Sequence, residues 1–98
     1  MPRVSFSKSA TNDLADIWFY TVNVWSKAQA DKYFKALVDC CNGLAHNQTL
    51  SSRDYGHIRK GLKGIRMGKH IVFYKKYING NIFVVRILHE AMDAPRHL

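Results

Sequence analysis

Long apolar runs are missing from this sequence. Nothing approaches the ~18 residues that span a bilayer, and the leading Met-Pro-Arg-Val-Ser-Phe-Ser has no apolar core of a secretory signal. The expectation is a cytoplasmic chain with no membrane partner. Cysteine is nearly absent too: Cys40 and Cys41 are adjacent, would point roughly 100° apart on a helix, and suit neither a disulfide framework nor a C-x-x-C pair. They read as buried thiols. The five histidines, His46, His57, His70, His89 and His97, lack H-x-x-x-H or Cys/His ligand spacing. Gly61, Gly64 and Gly68 are not followed by Lys-Ser/Thr and a helix, so no phosphate loop is present. No metal and no cofactor are expected, and no helix-turn-helix signature appears.

Acidic residues are the scarcest class with functional weight. Seven Asp and Glu face fifteen Lys and Arg, a formal charge of +8. The imbalance is local: residues 1–49 carry five bases and four acids, net +1, whereas residues 50–98 carry ten bases and three acids, net +7. Such a field favours an anionic partner, either nucleic acid or an acidic protein segment. The remaining composition is that of a folded domain. With 98 residues and 47% hydrophobic content, the chain reads as one domain over residues 1–98 with a single core.

Periodicity supplies the elements. Val4 and Phe6 alternate with polar neighbours, which predicts a strand over Arg3 to Ser7, ending where Ser7 or Ser9 can cap a helix. Leu14, Ile17, Trp18, Thr21 and Trp25 recur at helical steps and predict an amphipathic helix from Lys8 to Val24. Ser26-Lys27-Ala28-Gln29 is a capping box that opens a second helix. Its inward seam is Ala30, Phe34, Leu37, Cys41 and Leu44, and the two helices form a hairpin. Asn47 to Lys60 reads as a loop or one irregular turn.

Three strands follow. Ile78-Asn79-Gly80-Asn81 suggests a type I′ turn pairing Ile78 with Asn81. Counting back places Phe73 opposite Arg86 and His70 opposite His89. A turn at Gly68-Lys69 places Arg66 opposite Ile71. Alternation then gives an apolar face of Ile65, Met67, Val72, Tyr74, Phe83, Val85 and Ile87 against the hairpin. The other face holds Gly64, Arg66, Ile71, Phe73, Lys75, Val84, Arg86 and Leu88, with two arginines close together on a partly exposed surface. His89 projects away from Arg86.

Gly64-Ile65-Arg66-Met67-Gly68-Lys69-His70-Ile71-Val72-Phe73-Tyr74, then Val85-Arg86-Ile87-Leu88-His89-Glu90-Ala91-Met92-Asp93 and Arg96-His97-Leu98, resembles the ParE toxins of bacterial toxin–antitoxin modules. Asp13-Leu14, Ile17, Tyr20, Trp25, Gln29-Ala30 and Tyr33 match the same family, so the resemblance covers nearly the whole chain. It implies an α+β fold of the RelE/ParE type, β-α-α-β-β-β, with the helix hairpin on one face of a small, mainly antiparallel sheet. It also implies inhibition of a type II topoisomerase, DNA gyrase, by binding. A ParD-like antitoxin would neutralise the toxin in a hetero-oligomer through an acidic C-terminal segment.

On that reading the antitoxin meets Trp18, Phe19, Tyr20, Trp25, Tyr33, Phe73 and Lys75, while Arg66, Arg86, Met92, Asp93, Arg96, His97 and Leu98 face the topoisomerase. The related RelE ribonucleases give an alternative, ribosome-dependent cleavage of messenger RNA. Arg66 and Arg86 would then stabilise the phosphorane and His89 would transfer a proton. After Arg86 the sequence has no tyrosine, so that catalytic set is incomplete and a non-enzymatic inhibitor is favoured. A third possibility is a basic nucleic-acid-binding module with Phe73 beside Arg86 as a stacking platform.

Overall fold

The computed structural model describes residues 2–46 and 52–98. Strand β1 (Val4–Phe6) leads into helices α1 (Lys8–Val24) and α2 (Lys27–His46). Then come β2 (Arg53–Asp54), β3 (Lys63–Met67), β4 (His70–Lys76), β5 (Ile82–His89) and a short α3 (Ala94–His97). The strands form one sheet in the order β1-β5-β4-β3-β2, parallel between β1 and β5 and antiparallel elsewhere. This is the expected α+β arrangement, with β2 added from inside the stretch taken as loop. The part of that stretch over residues 47–51 lies outside the described residues.

Local chemistry sets the helix boundaries. Ser7 caps α1, its Oγ accepting from the Ala10 N–H at 2.9 Å. The Ser26 hydroxyl accepts from the Gln29 N–H at 3.1 Å, one half of the expected capping box. Ala10, Leu14, Ile17 and Thr21 form the buried stripe of α1, and Ala30, Leu37, Cys41 and Leu44 that of α2. Two expected core members lie outside these stripes. Trp25 is at the end of α1 with 74% of its surface exposed, and Phe34 is turned outward. At the α1 terminus the chain leaves helical geometry, so the step that would carry Trp25 inward is never completed.

The strand register holds at one end and shifts at the other. Phe73 opposes Arg86, His70 opposes His89, and Arg66 opposes Ile71, as expected. The turn at Gly68-Lys69 also forms, with Gly68 at φ +59. Ile78 and Asn81, however, do not pair. A type I′ turn needs positive φ at both central residues, and of these only Gly80 has it, at φ +88. The loop closes instead through the Tyr77 N–H on the Asn81 carbonyl and the Gly80 N–H on the Tyr77 carbonyl. The strands therefore end at Lys76 and Ile82.

A β-bulge absorbs the difference. Tyr74 pairs with Val84 while Phe73 pairs with Arg86, leaving Val85 as the extra residue. Val84 accordingly faces the helices, and Phe83 and Val85 face away, the reverse of the simple alternation. The Val85 carbonyl accepts from the Ser7 hydroxyl at 2.6 Å, so one serine caps a helix and satisfies the bulge.

The sheet is buried on both sides. Toward the helices, Ile65, Val72, Tyr74, Ile82, Val84 and Ile87 pack on Leu14, Ile17, Leu37, Cys41 and Leu44. On the far side, Leu62, Phe73, Val85 and Leu88 are covered by Tyr55, Ile58, Ala94 and Leu98. This second cluster replaces the open arginine face inferred from alternation. Phe73, at 1% exposure, can neither meet an antitoxin nor stack on a base.

Candidate functional site

The two arginines singled out by sequence share a sheet face but not a site. Strand β4 lies between β3 and β5, and each guanidinium has its own carboxylate. Arg66, on β3, pairs with Glu90 just after β5. Arg86 reaches the opposite edge, where Nε donates to Asp13 Oδ2 at 2.8 Å and Nη2 to Oδ1 at 2.9 Å. Asp13 Oδ2 also accepts the Ile87 backbone N–H at 3.0 Å. β1 has ended at Phe6, so an α1 carboxylate takes over the edge of β5 that β1 no longer covers. A forked, mostly buried carboxylate–guanidinium pair is among the stronger polar contacts. The Asp13 hydrogen bond raises the Arg86 pKa despite some desolvation.

The C-terminal segment is anchored rather than loose. Arg86 Nη1 donates to the His97 carbonyl at 2.9 Å, and Arg59 Nη2 donates to the main-chain oxygen of Leu98 at 3.0 Å. Leu98 packs into the far-side cluster with Ala94. Met92, Asp93, Arg96 and His97 remain exposed. Asp93 precedes α3, and its carbonyl accepts from the Arg96 N–H at 3.1 Å, without a side-chain cap.

His89 lies on the helix-facing side, away from Arg86. It opens into a cleft of about 410 Å³ shared with Tyr20, Trp25, Tyr33, His70 and Glu90. The Tyr33 hydroxyl is 2.7 Å from His70 Nδ1 and accepts from the Lys69 N–H at 3.2 Å. The His70 and His89 rings meet edge to face with centroids 5.4 Å apart. Burial, reinforced by the neighbouring His89, lowers the His70 pKa, while burial raises that of Tyr33. No group of three or more metal-ligating side chains occurs among the described residues. Burial pushes the Cys41 thiol up to about 12, making it an inert core group.

The helix hairpin carries the aromatic surface. Phe19, Tyr20, Val24 and Trp25 are more than half exposed. Trp18 is half-buried, its indole N–H donating to Asp31 Oδ1 at 2.9 Å. That bond, ahead of Lys27, lowers the Asp31 pKa. Trp18, Phe19 and Phe34 line a second cleft, of about 470 Å³, between the helices. Uncovered aromatic rings grouped on one hairpin are the exposure pattern expected of an interaction surface. Tyr33 sits at its inner margin, and Lys75 is half-buried on β4, away from it. Two contributors escaped sequence reasoning: Asp13 as the Arg86 partner, and Phe34 as part of the aromatic cleft. Phe34 fits the helical stripe, so periodicity alone misplaces it. Asp13 entered the sequence reading only within the Asp13-Leu14 pair of the family resemblance, and nothing there distinguished it from Asp16, the other acid of α1, as the partner of Arg86.

Comparison with known proteins agrees along nearly the whole chain. The family model described as "ParE toxin of type II toxin-antitoxin system, parDE" matches residues 4–94. Toxin ParE1 of Mycobacterium tuberculosis H37Rv is 34% identical over 96 residues, covering 98% of this chain and 97% of that protein. Toxin ParE1 of Caulobacter vibrioides is 32% identical over 92 residues, covering 94% and 93%. Among solved structures, the fold is similar to a chain of the chromosomal ParDE system of P. aeruginosa, with a TM-score of 0.74 at 15% identity over 91% of this chain and 96% of that one. It is also similar to a chain of the RelBE2 complex of Mycobacterium tuberculosis, with a TM-score of 0.68 at 17% identity over 92% and 100%. The chain belongs to the ParE toxin family of type II toxin–antitoxin systems.

Proposed function

We propose that the toxin acts by binding and inhibiting a type II topoisomerase, DNA gyrase, and that it is not a ribonuclease. One observation carries this reading: the groups a nuclease would bring to one phosphate are dispersed. Arg86 is committed to Asp13, Arg66 to Glu90, and His89 occupies the opposite side of the sheet. In-line attack by a 2′ hydroxyl needs base, acid and cation converging on one centre. The exposed segment Met92 to His97, with Arg66, is the proposed topoisomerase-facing region.

A ParD-like antitoxin is the proposed neutralising partner. Its acidic, poorly ordered segment would lie on the aromatic hairpin surface through Trp18, Phe19, Tyr20 and Trp25, with Tyr33 at the margin and Phe34 added, in a hetero-oligomer. Coupled folding onto exposed aromatic anchors with charge attraction fits this surface.

The test sets a gyrase supercoiling assay beside a ribosome-programmed messenger cleavage assay, both with purified toxin. Inhibited supercoiling with intact message supports the proposal. Cut message with unaffected supercoiling would replace it with a RelE-type activity.

A further inference from the structure

From Cys40 through His89 the sequence contains a single acid, Asp54. That carboxylate is already engaged, Oδ1 accepting the Gly56 N–H at 2.7 Å. Around it stand Arg53, Lys60 and Lys63, all exposed and none in an ion pair among the described residues. Two open clefts flank the edge strand β2 and share Ser52 and Arg53. One, of about 370 Å³, adds Lys60 and Lys63. The other, of about 340 Å³, adds Arg66 and the ring of Tyr55. The cations thus form one continuous belt, Lys63–Lys60–Arg53–Arg66. Arg53, Lys60 and Lys63 outnumber the one acid among them, Asp54, and Arg66 at the end of the belt already has Glu90. The net positive charge that remains repels itself, and an anionic ligand removes that repulsion.

We infer that this belt is a binding site for the phosphodiester backbone of a single nucleic acid strand. Position and chemistry both argue for this occupant over an acidic protein segment. β2 is the edge strand farthest from β1 and β5, the strands on which α1 packs. The aromatic hairpin surface is therefore remote, and a segment lying there leaves the belt open. Tyr55 lines one cleft together with Arg53 and Arg66, held by edge-to-face packing on Phe73 with centroids 5.0 Å apart and by Gly64, which has no side chain to displace it. An aromatic ring in a cleft with guanidinium groups is a combination on which a base stacks while its phosphates are neutralised.

The inference goes beyond topoisomerase inhibition, and its experiment contains no topoisomerase, so either can fail alone. Binding of purified toxin to a fluorescein-labelled single-stranded DNA oligonucleotide is followed by anisotropy across a salt series. Neutralising the three cations without an intrachain pair, Arg53, Lys60 and Lys63, on a single strand predicts a log–log salt slope of about −2.1, at about 0.7 per contact. The Lys60→Gln/Lys63→Gln double variant should flatten that slope by about 1.4. The Lys27→Gln/Lys35→Gln variant, which removes equal charge from the hairpin, should leave it unchanged. Equal losses from both variants, or no salt-dependent binding by the native chain, would overturn the site. Displacement of the oligonucleotide by poly-glutamate at matched charge would overturn it in favour of an acidic protein partner.

Discussion

Asp13 concentrates three contacts in one side chain: Nε and Nη2 of Arg86 and the Ile87 amide. Removing the charge by Asp13→Asn leaves a partly buried guanidinium without its counter-ion. We expect a loss of about 2–3 kcal/mol in urea denaturation, below the ~3–5 kcal/mol of a fully buried pair because Arg86 keeps some solvent contact. Arg86→Gln should cost a similar amount, and the double variant less than the sum, since the pair acts as a unit. Arg86 is therefore unsuitable for testing target contact, because reduced toxicity would follow from reduced stability. Arg66→Gln, at an exposed pair with Glu90, should change stability by less than about 1 kcal/mol. Reduced supercoiling inhibition by that variant at native thermal stability would mark Arg66 as a target contact.

His70 adds a pH dependence at the same scale. Its folded pKa lies below the unfolded value of 6.5, with burial the main cause and His89 the second. The unfolded chain then takes up a proton before the folded one does. Its stabilising contribution is complete above 6.5 and is lost as pH falls from there toward the lowered folded value. Thermal melts at stepped pH should show this decline, and His70→Gln should flatten it. The His70–His89 pairing was legible from strand counting. The Tyr33 hydroxyl that holds His70 was not, because two residues 37 positions apart share no local signal.

At the scale of elements, boundaries and register followed from different kinds of information. The extent of α1 was legible because a stripe and a capping serine bracket Lys8–Val24, with the structure choosing Ser7 over Ser9 as the cap. The β4–β5 register was legible only at its inner end. Reading Asn79-Gly80 as a two-residue turn and assuming unbroken alternation are each one step off, and the bulge at Val85 cancels them by Phe73–Arg86. Phe83, Val84 and Val85, between turn and bulge, are the residues whose faces came out reversed. Leu62, fully buried, went unnoticed because its companions Tyr55 and Ile58 lie in polar surroundings without a lasting period. Ser7→Ala removes the α1 cap and the hydroxyl donor to Val85 together. It should cost about 2 kcal/mol, the upper end for a lost cap, measurable by chemical denaturation. Gly68→Ala meets two obstacles, a φ of +59 and a Cβ position 2.7 Å from the Tyr33 hydroxyl. A loss of about 2 kcal/mol or more is expected from strain and displaced packing.

Across the whole molecule the excess charge divides by place. The hairpin half is nearly neutral and rich in exposed aromatic rings, while the sheet half carries the surplus cations, of which Arg53, Lys60 and Lys63 have no ion pair among the described residues. The contrast was visible in the sequence as +1 against +7. Invisible there was that α3 and the segment around Leu62 cover the sheet, which moves the accessible cations from its face to its rim. Replacing Tyr20 and Trp25 together by serine should therefore abolish co-purification with a co-expressed antitoxin while leaving the circular dichroism spectrum unchanged. Retained co-purification would move the antitoxin surface elsewhere.

The parallel pairing of β1 with β5 joins Val4 to Ile82, and Ser7 reaches Val85 across 78 positions. Contacts so distant along the chain make folding slow, and during synthesis they impose an order in time. β1 has no neighbour in the sheet until β5 has left the ribosome, so the fold of a nascent chain stays incomplete until residues 82–84 have emerged. Chains truncated before Ile82 should remain protease-sensitive and non-toxic. The delay leaves an interval in which each new chain is open to a binding partner before its fold closes.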